Sequence, residues 1–304
     1  MEEASFCLPR AHNPKLSVPP QPSDDTVFTK RPWFPTLHTP SSSLVDLERY
    51  PLTDAALIAK SHAEYLAGGA VVFPNFLTPT ALRDMIDEVQ SCAHVAFVSR
   101  NGHNVYFDAG DPTLPPSHPR NRQVRTVGGS VAYDLLPEGS RLRALYQWEP
   151  LLRFVRSVLG LPALHRLDDG IGACTVNVFR EGDEQGWHFD ETEFSTTLML
   201  TAADDGGDFE YVPAMRKNMK DGSEHSAVSA ALDGSREGIR RLPLTPGALA
   251  IFRGHCSLHR VTQNRGETTR LVAVLAFNAS PGVSNSEYVR ELFWGRRHPI
   301  KNKL

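Results

Sequence analysis

A histidine and a carboxylate two residues apart, His188 and Asp190, with His259 much further along, limit what this sequence can fold into more than any other feature. Residues two apart on a β-strand project from the same face, so a strand through Trp187-His188-Phe189-Asp190 aims both groups at one spot. His259, in Leu258-His259-Arg260-Val261, follows a Pro246-Gly247 turn and an apolar strand, and Arg270 opens the strand after it. Two imidazoles and one carboxylate on one face of an octahedral metal leave three adjacent positions open, which suits a non-haem iron(II) centre that must also take dioxygen. An arginine a short strand beyond the second histidine suits the far carboxylate of a dicarboxylate co-substrate.

The set His188, Asp190 and His259 therefore predicts a bound Fe(II), with Arg270 pairing the 5-carboxylate of 2-oxoglutarate and dioxygen at the remaining position. Ascorbate would serve as reductant. That chemistry abstracts a hydrogen atom from a substrate C–H bond and returns a hydroxyl. Asn177 and His255 are assigned with Arg270 to the co-substrate. His255 lies four residues from His259, a spacing that a helical zinc pair would share. Gly254, Cys256 and Ser257 are poor helix formers, however, and no His-Glu-x-x-His sequence occurs, so His255 is expected behind the ligands or beside the co-substrate.

Composition removes several other classes. The net charge is −3, from 32 basic and 35 acidic residues, which gives no surplus of cations for nucleic acid or an anionic membrane. No apolar run is long enough to span a bilayer. The start, Met1-Glu2-Glu3-Ala4-Ser5, lacks the basic and apolar stretches of a secretory signal. Cys7, Cys92, Cys174 and Cys256 form no Cys-x-x-Cys pair, which argues against a zinc ribbon or a disulfide scaffold. A reducing, cytoplasmic location is expected.

Residues 1–50 are rich in proline and serine, with eight prolines from Pro9 to Pro40, and are expected to form a flexible arm. Residues 51–304 are expected to form one domain. Ala56, Leu57, Ala63 and Leu66 recur at helical spacing, and Ala70-Val71-Val72-Phe73 reads as a short strand. Thr78 and Pro79 open a second helix with a stripe of Leu82, Met85, Ile86 and Val89, and a third is predicted over Leu142–Leu159. Short β-branched or aromatic runs then follow at Ile171–Phe179, Ser195–Thr201, Phe209–Val212, Ala248–Phe252 and Leu271–Phe277. The pattern predicts a mainly β fold: helical support over 51–165, an antiparallel double sheet over 166–280 and a cap over 281–304. The polar stretch 213–241 is placed as a lid or a surface insertion.

The strings Trp187-His188-Phe189-Asp190, Gly206-Gly207-Asp208-Phe209-Glu210-Tyr211-Val212-Pro213 and Phe252 through Thr262, running on to Arg270-Leu271-Val272-Ala273-Val274, carry a more specific likeness. Over about Ile171 to Trp294 the chain resembles the carrier-free amino-acid radical halogenases, lysine chlorinases among them, and their hydroxylase relatives. The resemblance implies a double-stranded β-helix (jelly-roll, cupin-like) core and a free amino acid as substrate. It also places Arg125 and Trp294 at substrate-holding positions. A halogenase needs the carboxylate position vacated for chloride, so Asp190 points to hydroxylation instead.

Lysine-directed members have polar groups where this chain has Ile171, Val274 and Ala276. An apolar lining cannot stabilise a buried ammonium, so an aliphatic amino acid such as valine or isoleucine is expected. A related fungal oxygenase group, with the same carboxylate triad, converts valine to an aziridine; hydroxylation and cyclisation share these residues. The competing classes are a peptide or protein hydroxylase, which needs an open groove, a nucleic-acid demethylase, which the charge disfavours, and a non-catalytic jelly-roll binding protein, which has no use for three iron ligands and Arg270.

Overall fold

The structure, a computed structural model, describes residues 43–216 and 222–300. Most of the expected N-terminal arm, residues 1–42, lies outside the described residues. Its last part does not behave as an arm: Leu44 and Val45 are buried, Val45 bridges Leu77, and the Tyr50 hydroxyl donates to Pro74 O. From residue 44 on, the described chain packs with the domain.

Four helices form one layer. They are α1 (Ala55–Gly68), α2 (Pro79–Cys92), α3 (Arg141–Gln147) and α4 (Glu149–Leu159). The Thr78 hydroxyl caps α2 by accepting from Ala81 N, and Pro79 occupies the first turn, where its missing N–H costs nothing. The single helix predicted over 142–159 is two, because Trp148 is extended and Pro150 cannot donate back into the preceding turn. In α1 the buried face carries Ser61 and Tyr65, while Leu66 is exposed. None of the described helices is long and apolar enough to cross a membrane.

Among the described residues, fifteen strands follow the helical start or interleave with it. The early ones are β1 (Ala70–Phe73), β2 (Phe97–His103) and β3 (Val124–Val131). Next come β4 (His165–Arg166), β5 (Cys174–Phe179), β6 (Glu184–His188), β7 (Ser195–Thr201), β8 (Asp205–Gly206) and β9 (Phe209–Val212). The last are β10 (Arg240–Leu242), β11 (Leu249–Phe252), β12 (Leu258–Val261), β13 (Asn264–Arg265), β14 (Arg270–Leu275) and β15 (Phe277–Asn278).

Eleven of them make one antiparallel sheet in the order β1-β11-β7-β14-β5-β3-β6-β12-β9-β10, with β2 on the edge of β3. Strand β3 joins two half-sheets: Gly129–Val131 pair with β5, and Thr126 and Val127 with β6. This is a mainly β, double-stranded β-helix fold. Strands β2 and β3 fall within the stretch expected to be helical support, so the sheet starts earlier in the sequence than predicted.

Alternation sorts the side chains. Along β14, Leu271, Ala273 and Leu275 are buried on the face that α2 and α3 support through β7 and β5. Arg270, Val272 and Val274 face the interior of the double sheet, and Ala276 continues their line. Helix α5 (His225–Leu232) interrupts the strands. Its Val228 and Ala231 pack on Trp187, Phe189 and Leu258, on the outside of β6 and β12. The described part of the expected lid, 213–241, is therefore docked on an outer wall and lines none of the interior cavity. The cavity is covered by α6 (Glu287–Trp294), which supplies Val289, Phe293 and Trp294.

Candidate metal centre

His188 ends β6, Asp190 lies two residues further, and His259 sits opposite His188 on β12. Asp190 Oδ1 is 3.6 Å from His188 Nε2 and 3.3 Å from His259 Nε2. One ligand atom from each of the three lies within 4.8 Å of the others. Both histidines are almost wholly buried, and their rings lie 4.0 Å apart between centroids.

The protonation pattern is set by the backbone. His188 Nδ1 lies 2.8 Å from Gly186 O, and His259 Nδ1 lies 2.9 Å from Ser257 O. A carbonyl only accepts, so both Nδ1 atoms carry a proton, and both Nε2 atoms, the ones left for a metal, are turned toward Asp190. Burial and the neighbouring His259 hold the His188 pKa down. Burial pushes Asp190 up, but the two histidines outweigh it and keep the carboxyl well below its usual range. A divalent cation between the two Nε2 atoms and the ionised carboxylate would take the place of protons there.

The surroundings hold these groups in place. Ser195 Oγ donates to Asp190 Oδ2, which leaves Oδ1 toward the histidines. Gly254 is required behind Asp190, since a Cβ there would lie 1.8 Å from Oδ2. Phe209 stacks on the His259 ring at 5.4 Å, Phe252 meets it edge-on at 4.9 Å, and Phe107 lies 5.1 Å from His188. Gln185 Nε2 is 3.2 Å from His188 Nε2, on the cavity side.

The triad lines one cavity. Along the inward line of β14 it passes Arg270, Val272, Val274 and Ala276 in turn, with Asn177 paired to Val272 and Thr197 to Val274, and Phe293 and Trp294 also line it. Arg270 is 2% exposed, and its Nε has no hydrogen-bond partner. Burial lowers its pKa to about 10, with Asp208 opposing the shift. A buried guanidinium with an orphaned donor facing a cavity suits an anion. The donor set thus fits both groups predicted from the sequence, a divalent metal and a dicarboxylate.

A sequence model of the family described as halogenase D matches residues 53–292, most of the chain. The chain belongs to the halogenase D family. As a member, it shares its fold with solved structures of low sequence identity. The non-haem α-ketoglutarate-dependent epimerase SnoN from nogalamycin biosynthesis superposes with a TM-score of 0.54 at 16% identity, over 82% of this chain and 95% of SnoN. AviO1 from Streptomyces viridochromogenes Tue57 gives 0.51 at 16%, over 75% and 97%. HygX from Streptomyces hygroscopicus, solved with nickel, 2-oxoglutarate and hygromycin B, gives 0.50 at 12%, over 75% and 89%. No curated protein matches the sequence.

Within this halogenase D member, the cavity brings together most of the residues singled out from sequence. His188, Asp190, His259, Arg270, Asn177, Val274, Ala276 and Trp294 all line it. Three do not. Arg125 lies on the opposite face of β3, half-exposed, where it pairs with Glu184; its neighbour Thr126 is the residue that turns inward. Ile171 is buried behind the wall against Trp294 and Leu292, and Gly172 reaches the cavity in its place.

His255 sits on the far side of Asp190, with Nδ1 2.9 Å from Asp190 O, and lines a separate polar pocket with Arg216 and Glu224. Trp294 offers only its ring, because its indole N–H donates to Ser130 Oγ at 2.9 Å. Sequence reasoning passed over Phe107, Gln185, Ser195 and Phe209. The alternation that places His188 inward was a signal for Phe209 and Ser195. No local pattern marks Phe107, which adopts φ 55° in a loop.

Proposed function

We propose that this protein is an iron(II)- and 2-oxoglutarate-dependent oxygenase that hydroxylates a C–H bond of a small free amino acid with an aliphatic side chain. The observation that carries it is one cavity holding both a triad whose Nε2 atoms converge on Asp190 Oδ1 and a buried Arg270 whose Nε has no hydrogen-bond partner. HygX, of like fold, was solved with nickel and 2-oxoglutarate, which supports the same pairing here. His188, Asp190 and His259 would hold the iron, and Arg270 the 5-carboxylate of the co-substrate. Iron with 2-oxoglutarate and dioxygen supplies the oxidising power for an unactivated C–H bond.

The protein's own residues orient and exclude. Ser195 keeps Asp190 turned so that one oxygen faces the histidines, and Phe107, Phe209 and Phe252 keep water from their rings. Asp190 itself supports oxygen transfer over halogenation within a family named for halogenases, since the carboxylate occupies the position that a halide would need. Val274, Ala276 and the Trp294 ring favour an aliphatic side chain over an ammonium, because an unpaired charge there would lose its hydration without compensation.

Enclosure favours a small molecule over a peptide. Glu191, next to Asp190, accepts from Ser286 N and Oγ at the start of α6, and so ties the covering helix to the metal loop. The test is incubation of anaerobically purified protein with Fe(II), ascorbate, 2-oxoglutarate and oxygen, one amino acid at a time, following succinate and product mass. Succinate coupled to one aliphatic amino acid with a gain of one oxygen atom is expected. Loss of two hydrogens would mean cyclisation or desaturation. No coupling with any free amino acid would overturn the substrate class.

A further inference from the structure

Strand β6 carries one residue more than its partner. His259 pairs with His188, but Val261 pairs with Gln185, so Gly186 and Trp187 form a bulge just before the metal-binding histidine. The bulge is pressed against β3: a Cβ on Gly186 would lie 2.6 Å from Arg125 O and 3.0 Å from the Val124 side chain. Only glycine fits there. The two backbone polar groups of Gly186 are both engaged. Its carbonyl receives the proton on His188 Nδ1 at 2.8 Å, and its N–H donates to Thr126 Oγ1 at 3.1 Å.

Thr126 is 3% exposed, and its hydroxyl has a second contact, His103 Nε2, at 2.6 Å. His103 is fully buried on β2, with Nδ1 2.9 Å from Asn104 O. That carbonyl accepts, so His103 Nδ1 carries the proton and Nε2 is an acceptor. The Thr126 proton must then point at His103, which turns an oxygen lone pair toward Gly186 N–H. Every link has a fixed direction: Gly186 N–H to Thr126 Oγ, Thr126 O–H to His103 Nε2, His103 Nδ1–H to Asn104 O. None of these residues lies on a strand that supplies a metal ligand except Gly186 itself.

We propose that Thr126 and His103 are positioning residues that hold the Gly186 bulge, and through its carbonyl the ring orientation and tautomer of His188. This rests on the metal-centre reading above. Groups one shell out from a ligand commonly change metal affinity by about 10- to 100-fold. The hydroxyl, and not merely the volume of Thr126, is the working part.

The test is Co(II) titration of the folded protein, followed by visible absorption, for wild type, Thr126→Val and Thr126→Ser, with circular dichroism as the check on folding. Thr126→Val is expected to weaken Co(II) binding about 10- to 100-fold and to alter the absorption envelope. Thr126→Ser is expected to restore both. Equal Co(II) affinity and spectrum for Thr126→Val and wild type would overturn the proposal.

Should Thr126→Val not fold, His103→Gln and His103→Leu ask the same question. A glutamine carbonyl still accepts the Thr126 proton and keeps the affinity; leucine cannot and loses it, and identical affinities for the two would refute the link. A wild-type protein that binds no Co(II) would instead overturn the metal centre itself and this inference with it.

Discussion

Replacing Arg270 by methionine should move two properties in opposite directions. The guanidinium is 2% exposed, its Nε has no partner, and burial holds its pKa at about 10 against a usual 12.5. The folded state therefore disfavours the cation. Because the folded pKa lies below the unfolded one, the cost is fully present below pH 10 and is relieved as pH rises from there toward 12.5. At neutral pH it is on the order of a few kcal/mol. Methionine fills much of the same volume without a charge, so the metal-free Arg270→Met protein should melt higher, by roughly 2–4 °C per kcal/mol recovered.

Co-substrate binding should fall at the same time. A dicarboxylate docked without its cation leaves a buried charge unpaired, a loss of about 3–5 kcal/mol, or roughly two to three and a half orders of magnitude in Kd. Thermal unfolding of the metal-free protein gives the first number. Calorimetric titration of 2-oxoglutarate into the Co(II)-loaded protein gives the second. A lower Tm together with unchanged 2-oxoglutarate affinity would refute the view that Arg270 is held in an unfavourable state for the sake of an anion.

Three further outcomes are expected. Gly254→Ala places a Cβ 1.8 Å from Asp190 Oδ2, so the carboxylate must turn; metal affinity by Co(II) titration should drop about tenfold or more while the circular dichroism stays that of wild type. Val274→Thr keeps the shape of the side chain but buries a hydroxyl against an aliphatic substrate, and kcat/KM should fall by about 1–3 kcal/mol; an unchanged value would mean that the substrate does not reach β14.

Asp169 lies under α6. Burial pushes its pKa up, but the N–H groups of Ile171 and Gly172 and the Arg290 guanidinium outweigh this and hold it below the usual 3.8. Its stabilisation is therefore complete above about pH 4 and is lost as pH falls through the lower folded value. Acid titration of Trp294 fluorescence should show a transition there that Asp169→Asn removes.

The triad and Arg270 were legible because strand alternation and chain order suffice to gather them. Errors arose where parity had to be counted without a register. Ile171 misses the cavity by one position, in the turn before β5, and Gly172 lines it instead; Arg125 faces away on β3, where Thr126 is its buried neighbour. On a strand, one residue of slip moves a side chain to the other face. Strands β2 and β3 were missed because Phe97–His103 and Val124–Val131 contain glycine and polar residues and bury no regular alternation. Their pairing partners, distant in sequence, make them strands. The same cause hid Thr126 and His103, whose link joins β2 to β3 and means nothing until the two are side by side.

The inward line of β14 has a consequence for how this scaffold can change its chemistry. Arg270 and Val274 are four residues apart, roughly 14 Å of extended chain. On the proposed function one end of the strand would address the co-substrate and the other the substrate, with the triad on other elements altogether. A lineage, or an experimenter, would then be able to rewrite positions 274 and 276 to admit a new side chain while the triad and Arg270 stay untouched. Selectivity is in that sense spelled in a short stretch of text that can be edited without reopening the rest.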